Sequence, residues 1–216
     1  IFDYYPKNPK TPTSIPGFGP NTRTLLKVRV KAAVGTVTPL PAAINLNTPA
    51  LSEPLLVPQT PGMPTPIPTS VTVGGVTYPV ARVRTLTLNE GFDQHGRLAQ
   101  FIGTDVALAG TTPGFFGREY LAPATETTNA GDVEVWQVAN LTADTHPLHF
   151  HLVNVQILYR QPIKTKGMVG TFVINPNGQP VAPDVNEIGY KETVRMNPGE
   201  VTTVIMKFDL PTVPFT

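Results

Sequence analysis

The chain contains no cysteine. That excludes disulfides, zinc ribbons and cysteine nucleophiles. Charge is also scarce: 14% of residues are charged and the net charge is +1. So even a balance leaves no basic footprint for nucleic acid or an anionic membrane. No apolar run approaches the ~20 residues of a membrane span, and none has the layout of a signal peptide. Helical periodicity never outlasts a turn or two, and there is no internal repeat. What the chain has instead is proline, 25 of its 216 residues, together with 18 glycines. Each proline removes a backbone donor and blocks helix propagation, and the usual share is only ~5%. A hydrophobic fraction of 40% still permits a real core. The length suits one large domain or one and a half ordinary ones.

Both ends are unusual. The chain opens inside an aromatic stretch, Ile1-Phe2-Asp3-Tyr4-Tyr5, and stops at Pro214-Phe215-Thr216, without a start Met, a polar tail or a capping pattern. The expectation is a piece of a longer polypeptide. Residues 1–20 are turn-rich, and Thr22 to Val30 alternates as a half-buried strand. Residues 34–70 are so rich in proline that they read as extended, polyproline-like chain running over a surface, with disorder as the competing reading. Val71-Thr72-Val73-Gly74-Gly75-Val76-Thr77-Tyr78 carries a two-residue hairpin signal. Arg82 to Leu88 alternates, Asp93-Gln94-His95-Gly96 is a turn, and Leu98 to Ile102 is apolar. Further strands are predicted at about 134–141, 150–159, 171–174, 192–196 and 201–208, with Asn197-Pro198-Gly199-Glu200 turning between the last two. Many short strands separated by turn signals predict an all-β sandwich or barrel.

Three of the four histidines fall in one run, His146-Pro147-Leu148-His149-Phe150-His151. On a strand, His149 and His151 project from the same face and can join one metal cluster. His146 lies either in the entering loop or on the other face, so one ion cannot collect all three. The pattern predicts two metal centres on opposite sides of one strand, and neutral imidazole suits copper, zinc, iron or nickel. A cupin would also place His-x-His on a strand, but the Glu it expects is missing from Leu152-Val153-Asn154-Val155-Gln156. His95 reads as a solvent-exposed turn residue. Asn140-Leu141-Thr142 fits a glycosylation sequon on a buried strand end. Trp136, Phe115, Phe116 and Tyr120 read as packing residues, and Asp144 either orients an imidazole or caps a turn.

The segment Asn140-Leu141-Thr142-Ala143-Asp144-Thr145 followed by His-Pro-x-His-x-His resembles the first copper-binding motif in the C-terminal domain of bacterial multicopper oxidases of the laccase, bilirubin oxidase and phenoxazinone synthase group. Arg84 to Glu90 and Gly114 to Tyr120 look like the opening of that domain, and Glu134 to Val138 resembles the strand leading to the motif. Asn21 to Val30 is similar to the closing strand of the preceding domain. The resemblance implies a cupredoxin-like Greek-key β-sandwich, incomplete at its C-terminal end. It divides the chain into 1–33, the end of a second cupredoxin domain; 34–81, a Pro-rich linker; and 82–216, a third cupredoxin domain lacking its last strands.

By the same resemblance His146 ligates a type 1 (blue) copper, His149 the type 2 copper and His151 one of a type 3 pair, with four copper ions in a complete enzyme. The family oxidises phenols, tetrapyrroles or low-valent metal ions one electron at a time and reduces dioxygen to water. It works in the periplasm, the cell envelope or outside the cell. The implied partners are the remaining segments of the same polypeptide as separate chains, dioxygen and a small reducing substrate. One departure is plain. A blue-copper centre needs a Cys thiolate, and this chain has none. The alternative is a non-catalytic cupredoxin-fold protein with a structural or interaction role.

Overall fold

The computed structural model describes residues 29–32, 34–36, 54–111, 115–164, 173–174 and 178–210. The chain divides into two compact units, Ile1–Leu46 and Asn47–Thr216. In the first unit the described residues are exposed and in no strand. Most of the strand expected over Thr22–Val30 lies outside the described residues, and Arg29 and Val30 do not form part of one.

The second unit contains ten strands and one 3-10 turn, Val185–Glu187, among the described residues. It is all-β, as a cupredoxin-like domain requires, and its sheets are open. Strand β1 (Ser70–Val73) folds back onto β2 (Val76–Phe92) through Gly74-Gly75. Both glycines have positive φ, 58° and 81°. A two-residue turn of this hand needs that backbone at both central positions, where a side chain would clash.

β2 is 17 residues long and serves three neighbours in succession. Its start pairs with β1. Its middle runs parallel to β4 (Val133–Asn140), and its end pairs antiparallel with β3 (Leu98–Thr104). The Asp93–Gly96 turn joins β2 to β3, and Asp93 Oδ1 accepts the backbone N–H groups of His95 and Arg97. The large sheet continues through β10 (Glu200–Lys207) to β6 (Val155–Lys164) and β7 (Val173–Ile174), while β8 (Tyr190–Lys191) pairs with β6. β5 (His146–His149) and β9 (Thr193–Met196) form a separate two-stranded sheet.

This small sheet lies over one face of the large one. Leu148, Val194 and Met196 from the small sheet meet Leu86, Val138, Ile157, Val204 and Met206 in a common core. Trp136 packs at its margin, with ring centroids 6.3 Å from Phe150 and 6.1 Å from Phe208. The opposite face of the large sheet carries Val133, Val135, Leu158 and Ile205, covered by Leu56, Val57 and Val71. With both faces covered, the interior of β10 is buried residue after residue rather than in alternation.

One expectation changes here. Of the strand predicted over 150–159 only the part from Val155 onward is strand, the start of β6, while residues 150–154 connect β5 to β6. Phe150 and Val153 both turn inward, and a spacing of three cannot lie on one face of a strand. The chain therefore crosses from the small sheet to the large one between β5 and β6. The Asn197–Glu200 turn joins β9 to β10 as expected, and it links different sheets, because β9 pairs with β5 while β10 pairs with β4 and β6. From Pro54 to Thr69 the Pro-rich stretch runs as irregular, largely exposed chain over the sheet, anchored by the buried Leu56 and Val57. Thr171 and Phe172 of the expected strand at 171–174 lie outside the described residues.

Candidate metal centre

The three clustered histidines are positioned by a short, heavily bonded turn. β4 ends on Asn140, which is buried. Its Nδ2 donates to the carbonyls of Asp144 at 2.8 Å and Met196 at 2.9 Å. Its Oδ1 accepts the N–H of Thr142 at 2.9 Å and lies 2.8 Å from the Thr142 hydroxyl. This ties the end of β4, the loop and the end of β9 to one side chain, and β5 starts directly afterwards.

The register then sets the direction of each imidazole. His146 stands opposite Met196 and Leu148 opposite Val194, so both face the core between the sheets. His146 is mostly covered, with its side chain 14% exposed. Its Nε2 lies 2.7 Å from Thr142 Oγ1 and 3.3 Å from Glu90 Oε1 on β2. Beside it is a cavity of about 200 Å³ lined by Leu88, Asn89, Phe101, Ile102 and Pro147.

His149 stands opposite Thr193 and points the other way, into the open. Its Nδ1 lies 2.9 Å from the Thr193 hydroxyl. His151 follows the strand in a bend, not on it, yet its ring centroid is 5.0 Å from that of His149. Thus His149 and His151 share one side of β5, and His146 sits on the strand's other face. Neither side by itself makes a complete site. Among the described residues no three His, Cys, Asp or Glu side chains converge on a point that could hold a metal ion.

The donor chemistry still fits copper in part. Two neighbouring imidazoles and a third, held through one nitrogen with the other unengaged by any described hydrogen bond, are borderline ligands suited to that metal. The hydrogen-bonding neighbours that orient these rings, Thr142 and Thr193, were not singled out as such from the sequence. Nor was Glu90, which reaches His146 from a distant strand. Thr142 was visible only as part of a sequon pattern. That pattern cannot serve glycosylation in this fold, because Asn140 is 1% exposed and its amide nitrogen is fully engaged.

Other candidates resolve simply. His95 is exposed in its turn. Asp144 contributes its backbone to the turn, accepting from Asn140 and Thr142. Phe116 is buried, and Phe115 meets Phe101 edge-on at 5.3 Å. Tyr120 departs from expectation: it is 99% exposed.

Near the start of β4, Glu134 is buried and accepts from Arg84 at 2.6 and 2.8 Å and from Trp136 Nε1 at 2.9 Å. Burial alone raises its pKa, but the hydrogen bonds from Arg84 and Trp136 and the Arg84 charge outweigh this and hold it below the usual carboxylate range. This group is structural: both its carboxylate oxygens are engaged by Arg84, and one of them by Trp136 as well.

Comparison with known proteins brings the sequence and the site together. The sequence model of the multicopper oxidases matches residues 106–215, which include all three clustered histidines. A laccase of Bacillus stratosphericus is 35% identical over 125 residues, covering 58% of this chain and 22% of the laccase. A laccase of Bacillus subtilis is 29% identical over 129 residues, covering 60% of this chain and 23% of its own length. The chain thus spans less than a quarter of these relatives. Among solved structures, the McoA multicopper oxidase of the hyperthermophile Aquifex aeolicus aligns with a TM-score of 0.35 and 23% identity, over 69% of this chain and 25% of that one.

Proposed function

Because this chain belongs to the multicopper oxidase family, we propose that it is part of a copper-dependent oxidoreductase in which His146 ligates a type 1 copper, His149 the type 2 copper and His151 one copper of a type 3 pair. The observation that carries this reading is the two-sided placement of the imidazoles about β5, with the rings of His149 and His151 centred 5.0 Å apart on one side and His146 on the other. Copper held in such centres supplies one-electron chemistry that links oxidation of a reducing substrate to reduction of dioxygen.

The chain's own contribution is orientation. β5 holds the two sets of donors apart by the strand's alternation, and pairing with β9 fixes both the register and the ring directions. The thiolate that a blue centre needs has to come from residues other than these, because the sequence has no cysteine. The complete assembly on this reading includes further segments of the same polypeptide, holds four copper ions, oxidises phenolic, tetrapyrrole or low-valent metal-ion donors, and operates in the periplasm, the cell envelope or outside the cell. Among the described residues no helix is long and apolar enough to cross a membrane.

The test is copper reconstitution of the full-length protein followed by absorption and paramagnetic resonance. His146→Ala should abolish the blue charge-transfer band while leaving the other copper signals, whereas His149→Ala or His151→Ala should remove those and spare the blue band. A protein that folds, binds no copper and shows no blue band would instead be the non-catalytic scaffold.

A further inference from the structure

The hydrogen bonds around His146 determine more than its position. Asn140 Nδ2 faces two carbonyl oxygens, of Asp144 and Met196. Carbonyls only accept, so the amide nitrogen must be the atom facing them, and Oδ1 must face Thr142. The Thr142 hydroxyl has one proton and four close neighbours: Asn140 Oδ1 at 2.8 Å, the Asp144 carbonyl at 3.1 Å, His146 Nε2 at 2.7 Å and the Asp144 N–H, which donates to it at 3.3 Å. The first two have no proton to offer, so the hydroxyl proton goes to one of them. Toward the imidazole, Thr142 Oγ1 then presents a lone pair. A short contact of lone pair to lone pair is repulsive, so Nε2 must carry the ring proton and donate it. Glu90 Oε1, buried and without a hydrogen bond, presents a further oxygen to the same nitrogen at 3.3 Å.

We propose that Asn140 and Thr142 lock His146 in the Nε2–H tautomer, so that Nδ1 is the nitrogen kept with a free lone pair for a metal ion. Thr142 is a positioning residue: it acts on the metal through the imidazole and touches neither metal nor substrate. Asn140 orients Thr142, and the two carbonyls orient Asn140, so the proton arrangement of the ring is set by backbone atoms of the loop and of β9. A metal-ligating histidine generally has its second nitrogen bound to a hydrogen-bond acceptor that fixes the tautomer. Here that acceptor is a hydroxyl whose polarity is dictated from behind.

This inference takes its purpose from the reading of His146 as a copper ligand, but its test needs no copper. Metal-free full-length protein labelled with ¹⁵N-histidine is compared by long-range ¹H–¹⁵N correlation at a pH where the rings are neutral, with the His146 signals identified by their loss in His146→Gln. The expected pattern is a protonated Nε2, a bare Nδ1 and a slowly exchanging Nε2–H proton. Thr142→Val should speed that exchange roughly tenfold, the weight of about one lost hydrogen bond, and Thr142→Ser should restore it. A protonated Nδ1 in the unmodified protein, or unchanged exchange in a folded Thr142→Val variant, overturns the proposal. The tautomer of the unmodified protein is decisive even where Thr142→Val does not fold. Failure to bind copper alongside the expected tautomer would count against the copper reading alone.

Discussion

Gln156, the second residue of β6, holds Val57 by both edges of its side-chain amide. Its Nε2 donates to the Val57 carbonyl at 3.0 Å, and its Oε1 accepts the Val57 N–H at 3.1 Å. The same oxygen accepts the Leu56 N–H at 2.7 Å. The amide thus stands in for a strand edge and fastens an irregular, Pro-flanked segment over the sheet. Gln156→Leu keeps the volume but leaves two N–H groups and one carbonyl buried without partners. We expect a loss of roughly 2–4 kcal/mol. Urea denaturation measures the loss, and hydrogen exchange should show Leu56 and Val57 deprotected before the strands.

Glu134 is the next most exacting polar group, enclosed and bonded to Arg84 and Trp136. Its pKa is depressed, so the unfolded chain takes up a proton more readily than the folded one. The stability this provides is present above the ordinary carboxylate value of 4.5 and is lost as pH falls through the lower folded value. Glu134→Gln removes the charge but not the shape, stranding the largely covered Arg84 guanidinium at a cost of about 3 kcal/mol at neutral pH. Thermal melts from pH 7 down to acid should show the variant's deficit shrinking as pH drops; a deficit constant with pH contradicts this account.

Gly103 and Gly117 face each other across an antiparallel bridge. A Cβ on Gly103 would lie 2.0 Å from the Phe116 carbonyl oxygen, an atom of the backbone and therefore unable to rotate away. Gly103→Ala should force β3 and the 115–118 segment apart and cost about 2 kcal/mol. Chemical denaturation checks the size. The aromatic contact of Phe101 with Phe115 should loosen at the same time, visible as ring-current shifts.

Asn140 should carry no glycan even when the chain is produced in a glycosylating host, because its amide is buried between two carbonyls. Intact-mass measurement before and after glycosidase treatment checks this, and a mass shift mapped to Asn140 would contradict the fold around it. Asn140→Ala, by contrast, should lower stability by roughly 2–3 kcal/mol by freeing the Asp144 and Met196 carbonyls.

Much of this architecture can be read from short stretches of sequence. The Gly74-Gly75 hairpin follows from turn chemistry that two residues dictate, and β4, β9 and β10 follow from local β-propensity. The opposite directions of His146 and His149 come from strand alternation, which depends only on their spacing. Harder to read was the interval from Phe150 to Val153, where β-prone residues cross between sheets because both side chains find a core. The burial of Leu56 and Val57 was not legible, because nothing near them in sequence announces Gln156 as their anchor. Tyr120 looked like packing because aromatic character says nothing about whether a neighbour will be there.

The sequence by itself determined an all-β chain with too much proline for helices, no cysteine, and one run of histidines at metal-ligand spacing. Those properties depend on backbone sterics and on residue periods of two, which act over a few positions. Only the tertiary structure decided which strands pair, how both faces of the large sheet are covered, and what surrounds each imidazole. His146 meets Glu90 from β2, and the Asn140 that orients its Thr142 neighbour is itself held by the Met196 carbonyl of β9. Hydrogen bonds between distant segments form only once the sheets have packed.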